Sequence, residues 1–293
     1  MNGVICYLLI NKIPKLPKLA IESALKNTES NIFVGYLKES DLFDLPKNSR
    51  IHFVDLNVPA LQKNLMPETA GYVSFDENFF FQLVQLKWDL FRSVMSNTNV
   101  DFLVYLDLDV VVLKDLVAEF KETFQKLPNV DVLVQDFTHG PSDPRLCMGV
   151  FALRNSDFSQ GLVQKCATIH AQNLLLNPRF GDDDVITQVY RDLDFSKSFV
   201  LLPQQSFPVG NLINLFLPFS PLRGLRPSRP FIFHSNFVVG IQKKALLLEM
   251  VSRRKGLLGV GMLVRSYSCI SRDFGVRKIK KVFEKSVRSI RGT

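Results

Sequence analysis

Two aspartates set one residue apart, Asp107 and Asp109, interrupt an otherwise apolar run, Phe102-Leu-Val-Tyr-Leu-Asp-Leu-Asp-Val-Val-Val112. A run of this kind bounded by polar residues reads as an interior strand of a sheet covered on both faces. An isolated ionised carboxylate is too costly to remove from water unless it is paired, neutralised or bound to metal. Positions i and i+2 of a strand share a face, which predicts both carboxylates on one side, suited to Mg²⁺ or Mn²⁺ carrying phosphate oxygens. The bland alternative is a strand end pointing into water.

Apolar runs at 4–10, 32–37, 51–56 and 102–106 read as strands. A helical stretch at 17–26 separates the first two, and a longer helix is predicted over 79–95, apolar at Phe80, Leu83, Val84, Trp88 and Phe91. Such alternation predicts βαβ units and a largely parallel sheet. Open α/β sheets bind ligands beyond the carboxyl ends of their strands, where Asp107 and Asp109 fall. Further strands are expected at 130–134 and 149–153 and a helix at 184–191, while the Pro-, Asn- and Gly-rich stretch 203–229 reads as a long loop over the site. No Gly-x-Gly-x-x-Gly follows the first run and no Walker A sequence occurs, which disfavours a dinucleotide oxidoreductase or a P-loop NTPase.

With 293 residues, 46% of them hydrophobic, the chain can build one large α/β domain or two small ones. Its four cysteines, Cys6, Cys147, Cys166 and Cys269, form no Cys-x-x-Cys pair, which favours a reducing compartment over a zinc module, and Cys6 and Cys166 are expected in the core. The opening Met1-Asn-Gly-Val-Ile-Cys-Tyr-Leu-Leu-Ile10 is cut by Asn11-Lys12, so it is read as a strand rather than a leader or membrane span. The expected setting is cytoplasmic.

The net charge of +8 is concentrated at the C-terminus, where residues 243–293 hold fourteen Lys/Arg against three Asp/Glu. There Ile279, Val282, Phe283, Val287 and Ile290 recur at helical spacing with Lys280, Lys281, Lys285, Arg288 and Arg291 between them, the pattern of a basic amphipathic helix. Two readings stay open: peripheral attachment to an anionic membrane surface, or a helix docked on the chain's own core with a solvated basic face. Nucleic acid is disfavoured, because exposed aromatics are not interleaved with the basic residues and no RNA or DNA module is recognisable.

Downstream, Phe231-Ile-Phe-His-Ser-Asn-Phe-Val-Val-Gly-Ile-Gln-Lys-Lys244 places His234 at the end of a short apolar strand. One imidazole beside two carboxylates completes a protein's share of an open octahedral site. Gly240 permits close approach of backbone to phosphate, and Lys243 or Lys244 can neutralise it. A lone histidine after a strand is otherwise more often structural.

These pieces, together with Lys87-Trp88, Met148-Gly-Val-Phe-Ala-Leu-Arg154, Gly181-Asp-Asp-Asp-Val-Ile186 and Leu202-Pro-Gln-Gln-Ser-Phe-Pro-Val-Gly210, resemble GT-A nucleotide-diphospho-sugar transferases. The likeness is to the glycosyltransferase family 77 group and, more distantly, to family 8, and it covers residues 1 to about 248. It implies a Rossmann-like α/β fold with a mixed, mostly parallel sheet flanked by helices, followed by a basic helical tail. The expected division is 1–115 for the nucleotide half, 116–248 for the acceptor half and 249–293 for the tail.

The resemblance further implies a UDP-sugar donor whose diphosphate is bridged by Mn²⁺, or Mg²⁺, to Asp107, Asp109 and His234, with Lys244 assisting the departing phosphate and Asn236 and Gly240 in the same motif. Lys87 matches a basic residue that reaches donor sugar or phosphate; taken alone it reads as an exposed helix lysine. Asp136 corresponds to a carboxylate that holds donor-sugar hydroxyls. Asp182 and Asp183 face the reacting sugar, and Asp183 stands where related families commonly carry Gln. At least one of Asp182, Asp183 and Asp184 is expected to cap the following helix. Cys147 stands where distant relatives often have Asn.

The implied reaction is sugar transfer to a glycan, glycolipid or glycoprotein acceptor with retention of anomeric configuration. Rival readings are a metal-dependent sugar nucleotidyltransferase, although residues 11–18 lack the glycine and arginine of its phosphate loop, and a transferase-like partner protein without activity.

Overall fold

The first apolar run forms β1 (Gly3–Leu9), buried along its whole length. The chain is a computed structural model that describes residues 1–10, 15–42, 44–56, 78–138, 144–192, 196–209, 230–236 and 241–252. After β1, helix α1 (Leu16–Asn27) starts with Pro17 in its first turn, where a missing N–H goes unnoticed, and buries Leu16, Ala20, Ile21 and Ala24 along one side. The chain returns as β2 (Ile32–Tyr36) and then β3 (Ile51–Asp55), each parallel to its neighbour.

The helix expected over 79–95 is two helices, α2 (Asn78–Val84) and α3 (Leu86–Asn97). Gln85 between them keeps helical dihedrals, φ −60° and ψ −23°, so the ladder is interrupted without a change of backbone region. β4 (Phe102–Leu106) pairs with β1, Gly3 opposite Phe102. The apolar run through Val112 does not continue as one strand: β5 (Val110–Val112) leaves the main sheet. Next comes α4 (Leu116–Lys126), whose Asp115 cap accepts from the N–H groups of Val117 and Ala118.

The second half holds β6 (Val132–Asp136), β7 (Leu146–Arg154), α5 (Asp157–Leu176), α6 (Asp182–Arg191), β8 (Phe199–Leu202), β9 (Ile232–His234) and α7 (Ile241–Ser252). Among the described residues the main sheet has seven strands in the order β3-β2-β1-β4-β7-β6-β8, and β5 and β9 form a separate pair. Only β7 in the main sheet runs against its neighbours. The sheet is therefore mixed and mostly parallel, with apolar cores on both faces. The strand order reverses between β1, whose successor β2 lies on one side, and β4, which lies on the other with the later strands beyond it, and open α/β sheets bind ligands at the carboxyl ends of such a pair.

Helix α5 has no counterpart in the sequence reading because its buried face is Ser159, Leu162, Val163, Cys166 and His170, with polar residues at two of five positions. Its readable signal was the Ser156-Asp157 start, where Ser156 Oγ accepts from Ser159 N–H at 3.2 Å. Cys6 and Cys166 lie in the core as expected. Residues 210–229 of the expected long loop and 253–293 of the basic tail fall outside the described residues. No helix among the described residues is long and apolar enough to cross a membrane.

Candidate functional site

The ladder between β4 and β7 runs one bond past the strand end, Asp107 N–H donating to Gly149 O at 3.0 Å. The chain then turns at once, Val110 N–H donating to Asp107 O at 3.0 Å. Asp107 and Asp109 therefore occupy a turn, not one face of a strand, and the i, i+2 reading is corrected: leaving the main sheet for the β5–β9 pair ends the strand alternation. Opposite Val110 in that pair stands His234, and Ser235 N–H donates to Asp109 O at 3.0 Å. The pairing of β5 with β9 is what carries a histidine from the far end of the chain to the two carboxylates.

One oxygen of each carboxylate and one imidazole nitrogen lie within 4.8 Å of one another. Nε2 of His234 is buried and has no hydrogen-bond partner, although Asp109 Oδ1 stands 3.3 Å away. An orphaned buried nitrogen costs about 1–3 kcal/mol. A cation shared by Nε2 and the carboxylates removes that cost, and two oxygens plus one imidazole suit a hard or borderline divalent ion. The three residues fit such an ion by the chemistry of their donors.

Two lysines complete the electrostatics. Lys87 on α3, only 3% exposed, sends Nζ to Asp107 Oδ1 at 3.0 Å and to Asp182 on α6, with the Tyr105 ring centroid at 4.5 Å. Burial alone would lower its pKa, but Asp107 and Asp182 reverse this and hold the ammonium charged well above its usual range. The reading of Lys87 as an exposed helix lysine is thus overturned. Tyr105, which the sequence reading passed over, donates its hydroxyl to Asp107 Oδ1 at 3.0 Å.

Lys244 on α7 reaches Asp109 Oδ2 at 2.5 Å. Burial pushes Asp109 up, but the positive charge beside it, that of Lys244 first, outweighs this and holds its carboxyl well below the usual range. Helix α7 is fastened by Ala245, Leu248 and Val251, which pack with Leu16, Val111 and Phe233.

The three aspartates that open α6 have separate tasks. Asp184 Oδ2 accepts from Gly181 N–H at 2.9 Å and is the cap. Asp182 belongs to Lys87, and Asp183 Oδ1 accepts from Met148 N–H at 2.6 Å. Asp183 is exposed, yet desolvation by the protein packed against its carboxyl and the charge of Asp182 raise it well above the usual range. A carboxyl raised on folding stabilises the fold at low pH, below the unfolded value, and that contribution is lost as pH rises through the folded value. Asp183→Asn is therefore expected to flatten the decline of stability as pH rises above the ordinary carboxylate range, read from urea midpoints.

Cys147 lies beside these groups, its thiol kept protonated by burial and by Asp183 and Asp107. Asn236, exposed, directs Nδ2 at Cys147 Sγ over 4.0 Å. Asp136 ends β6 and caps the next turn, Oδ1 accepting from Thr138 N–H at 2.8 Å. Gly240 and the side chain of Lys243 lie outside the described residues.

Gly149 on β7 and Gln135 on β6 were not foreseen as site residues. A Cβ at Gly149 would stand 2.0 Å from Cε1 of His234, so only glycine leaves room for the imidazole. Because that ring is pinned by the β5–β9 pair, Gly149→Ala is expected to cost about 1–3 kcal/mol and to displace His234. Thermal denaturation checks this: the variant should melt earlier than the wild type.

No protein-family model and no curated protein sequence matches the chain. Solved structures do match. The galactosyltransferase LgtC, in complex with donor and acceptor sugar analogues, aligns with TM-score 0.56 and 13% identity over 86% of this chain and 97% of its own. Mouse xyloside xylosyltransferase 1, apo form, aligns with TM-score 0.50 and 13% identity over 82% of this chain and 99% of its own. The glycosyltransferase GlyE of Streptococcus pneumoniae TIGR4 aligns with TM-score 0.53 and 15% identity over 89% of this chain and 63% of its own. At such identities the likeness is one of fold, and the chain has the GT-A fold of nucleotide-sugar transferases.

Proposed function

We propose that this chain is a metal-dependent glycosyltransferase that moves a sugar from a UDP-sugar to a hydroxyl of a glycan, glycolipid or glycoprotein, with retention of anomeric configuration. The observation that carries the reading is the orphaned Nε2 of His234 converging with Asp107 and Asp109 at the carboxyl ends of β1 and β4 in a GT-A fold. When bound there, Mn²⁺ or Mg²⁺ supplies neutralisation of the charge that gathers on the nucleotide leaving group. Asp107, Asp109 and His234 hold it, and Lys244 adds a second positive charge on the same side. Lys87 keeps Asp107 oriented and ties it to Asp182 beside Asp183.

Asp183 is proposed to face the reacting sugar. Positive charge developing at an anomeric carbon favours its ionised form, which then stabilises that charge. Asp136, Asn236, Gly240 and Lys243 are proposed to contact the donor. The test is incubation with a panel of UDP-sugars and Mn²⁺, followed by NMR of the anomeric proton. Release of UDP with an α-configured product from an α-linked donor supports the reading. A β-configured product overturns retention, and formation of UDP-sugar and pyrophosphate from sugar 1-phosphate and UTP overturns transferase activity.

The acceptor is proposed to sit on an anionic membrane surface to which residues 253–293 attach the enzyme. Their basic amphipathic pattern supports this. The chain should sediment with vesicles containing phosphatidylserine, and removal of 253–293 should abolish sedimentation; unchanged sedimentation rejects the attachment.

A further inference from the structure

Gln135 is wholly buried at a register shift in β6, where the ladder to β7 slips between Val134 and Gln135. Its side chain spans two elements. Nε2 faces the carbonyl oxygens of Phe207, at 3.4 Å, and Pro208, at 3.3 Å, while Oε1 stands 3.2 Å from Nδ1 of His234. The two carbonyls can only accept, so the amide has one acceptable orientation: its NH₂ toward them and its oxygen toward the imidazole. Reversing it would set Oε1 against two carbonyl oxygens.

The consequence falls on His234. An acceptor at Nδ1 demands the N–H there, and a neutral imidazole has only one. Nε2 is left with its lone pair, directed to the side where Asp109 Oδ1 stands at 3.3 Å, and it makes no hydrogen bond. Gly149 leaves the ring its room from below. The anchor is itself braced: the Phe207 ring stacks on Phe120 and on Phe231, both at 5.2 Å between centroids, and Phe231 immediately precedes β9. A contrasting histidine shows what structural bonding looks like in this fold. His170 accepts from Trp88 Nε1 at Nδ1 and meets Phe180 O at Nε2, so both ring nitrogens are used.

We propose that Gln135 is a positioning residue for the cation site: anchored by the carbonyls of Phe207 and Pro208, it holds His234 in the Nδ1–H tautomer and so presents the Nε2 lone pair beside Asp107 and Asp109. This gives the Leu202–Gly210 motif a role, that of the carbonyl anchor behind a metal ligand. The inference rests on the reading of Asp107, Asp109 and His234 as cation ligands.

The test uses the full chain, ¹⁵N-labelled at its four histidines. Long-range ¹⁵N–¹H correlation without metal should show His234, assigned by its loss in His234→Ala, as the Nδ1–H tautomer. Gln135→Met, of similar shape without acceptor or donor, should mix the tautomers and weaken Mn²⁺ binding, measured by EPR, by about 10- to 100-fold. An Nε2–H tautomer in the wild type overturns the proposal, and that spectrum needs no variant to fold. Wild-type Mn²⁺ affinity in folded Gln135→Met overturns it as well. If the wild type binds no Mn²⁺, or His234→Ala binds as tightly, the ligand reading itself has failed and the proposal falls with it.

Discussion

Asp109→Asn is expected to abolish cation-dependent UDP binding and to lower sugar transfer by at least about 10³-fold, more than the 10- to 100-fold typical of residues behind the ligands. Asp109 sits between His234 Nε2 and Lys244 Nζ, the first a proposed ligand and the second a competing positive charge. The amide keeps size and one acceptor but not the charge that draws in a divalent ion. Lys244→Met makes the informative comparison, because it removes the other half of the same ion pair. It should leave Mn²⁺ binding intact or tighter, since Asp109 loses its competing cation, while turnover falls. Calorimetric titration of UDP with and without Mn²⁺ separates the two. Equal loss of cation-dependent binding in both variants would show that the ion pair, and not the ligand set, is what the site needs.

Lys87→Met should destabilise the fold by about 3 kcal/mol, the lower end of the range for removing one partner of a buried pair. The lower end applies because Asp107 is 34% exposed and water can partly replace the ammonium there, whereas Asp182, at 12%, is left facing Asp183 with no cation. The expected fall in Tm is on the order of 10 °C for a domain of this size. Lys87→Met with Asp182→Asn should recover part of the loss, since the second change removes the stranded charge. A Tm within about 1 °C of wild type for the single variant would mean that Lys87 is not the tie between α3, α6 and the Asp107 turn.

The two expectations rest on opposite properties of similar side chains. Both lysines hold a carboxylate of the same Asp-x-Asp, yet Lys87 stabilises the fold and Lys244 tunes the site. The difference is location. Lys87 rises from a helix packed on the main core, with Trp88 and Phe91 buried beside it. Lys244 belongs to α7, which the small cluster around Leu248 fastens to α1 and β5.

Local pattern was enough for much of this. Uninterrupted apolar runs at 4–10, 32–37 and 102–106 marked β1, β2 and β4 within a residue or two, because central strands are covered on both faces, and 51–56 marked the edge strand β3 despite its polar His52 and Asp55. The same pattern made Asp107 and Asp109 conspicuous, and the apolar residues before His234 marked its strand. Pairing was not legible, since it depends on contacts between segments far apart in the chain. The reversal of β7, the departure of β5 to join β9, the burial of Lys87 between Asp107 and Asp182 and the choice of Asp184 as the cap all follow from sheet order. Gln135 is the clearest case: in the chain it is one polar residue in an apolar strand. Its meaning comes from a histidine and two carbonyls brought beside it in space, and periodicity, which reports only which face of its own element a residue occupies, carries no record of them.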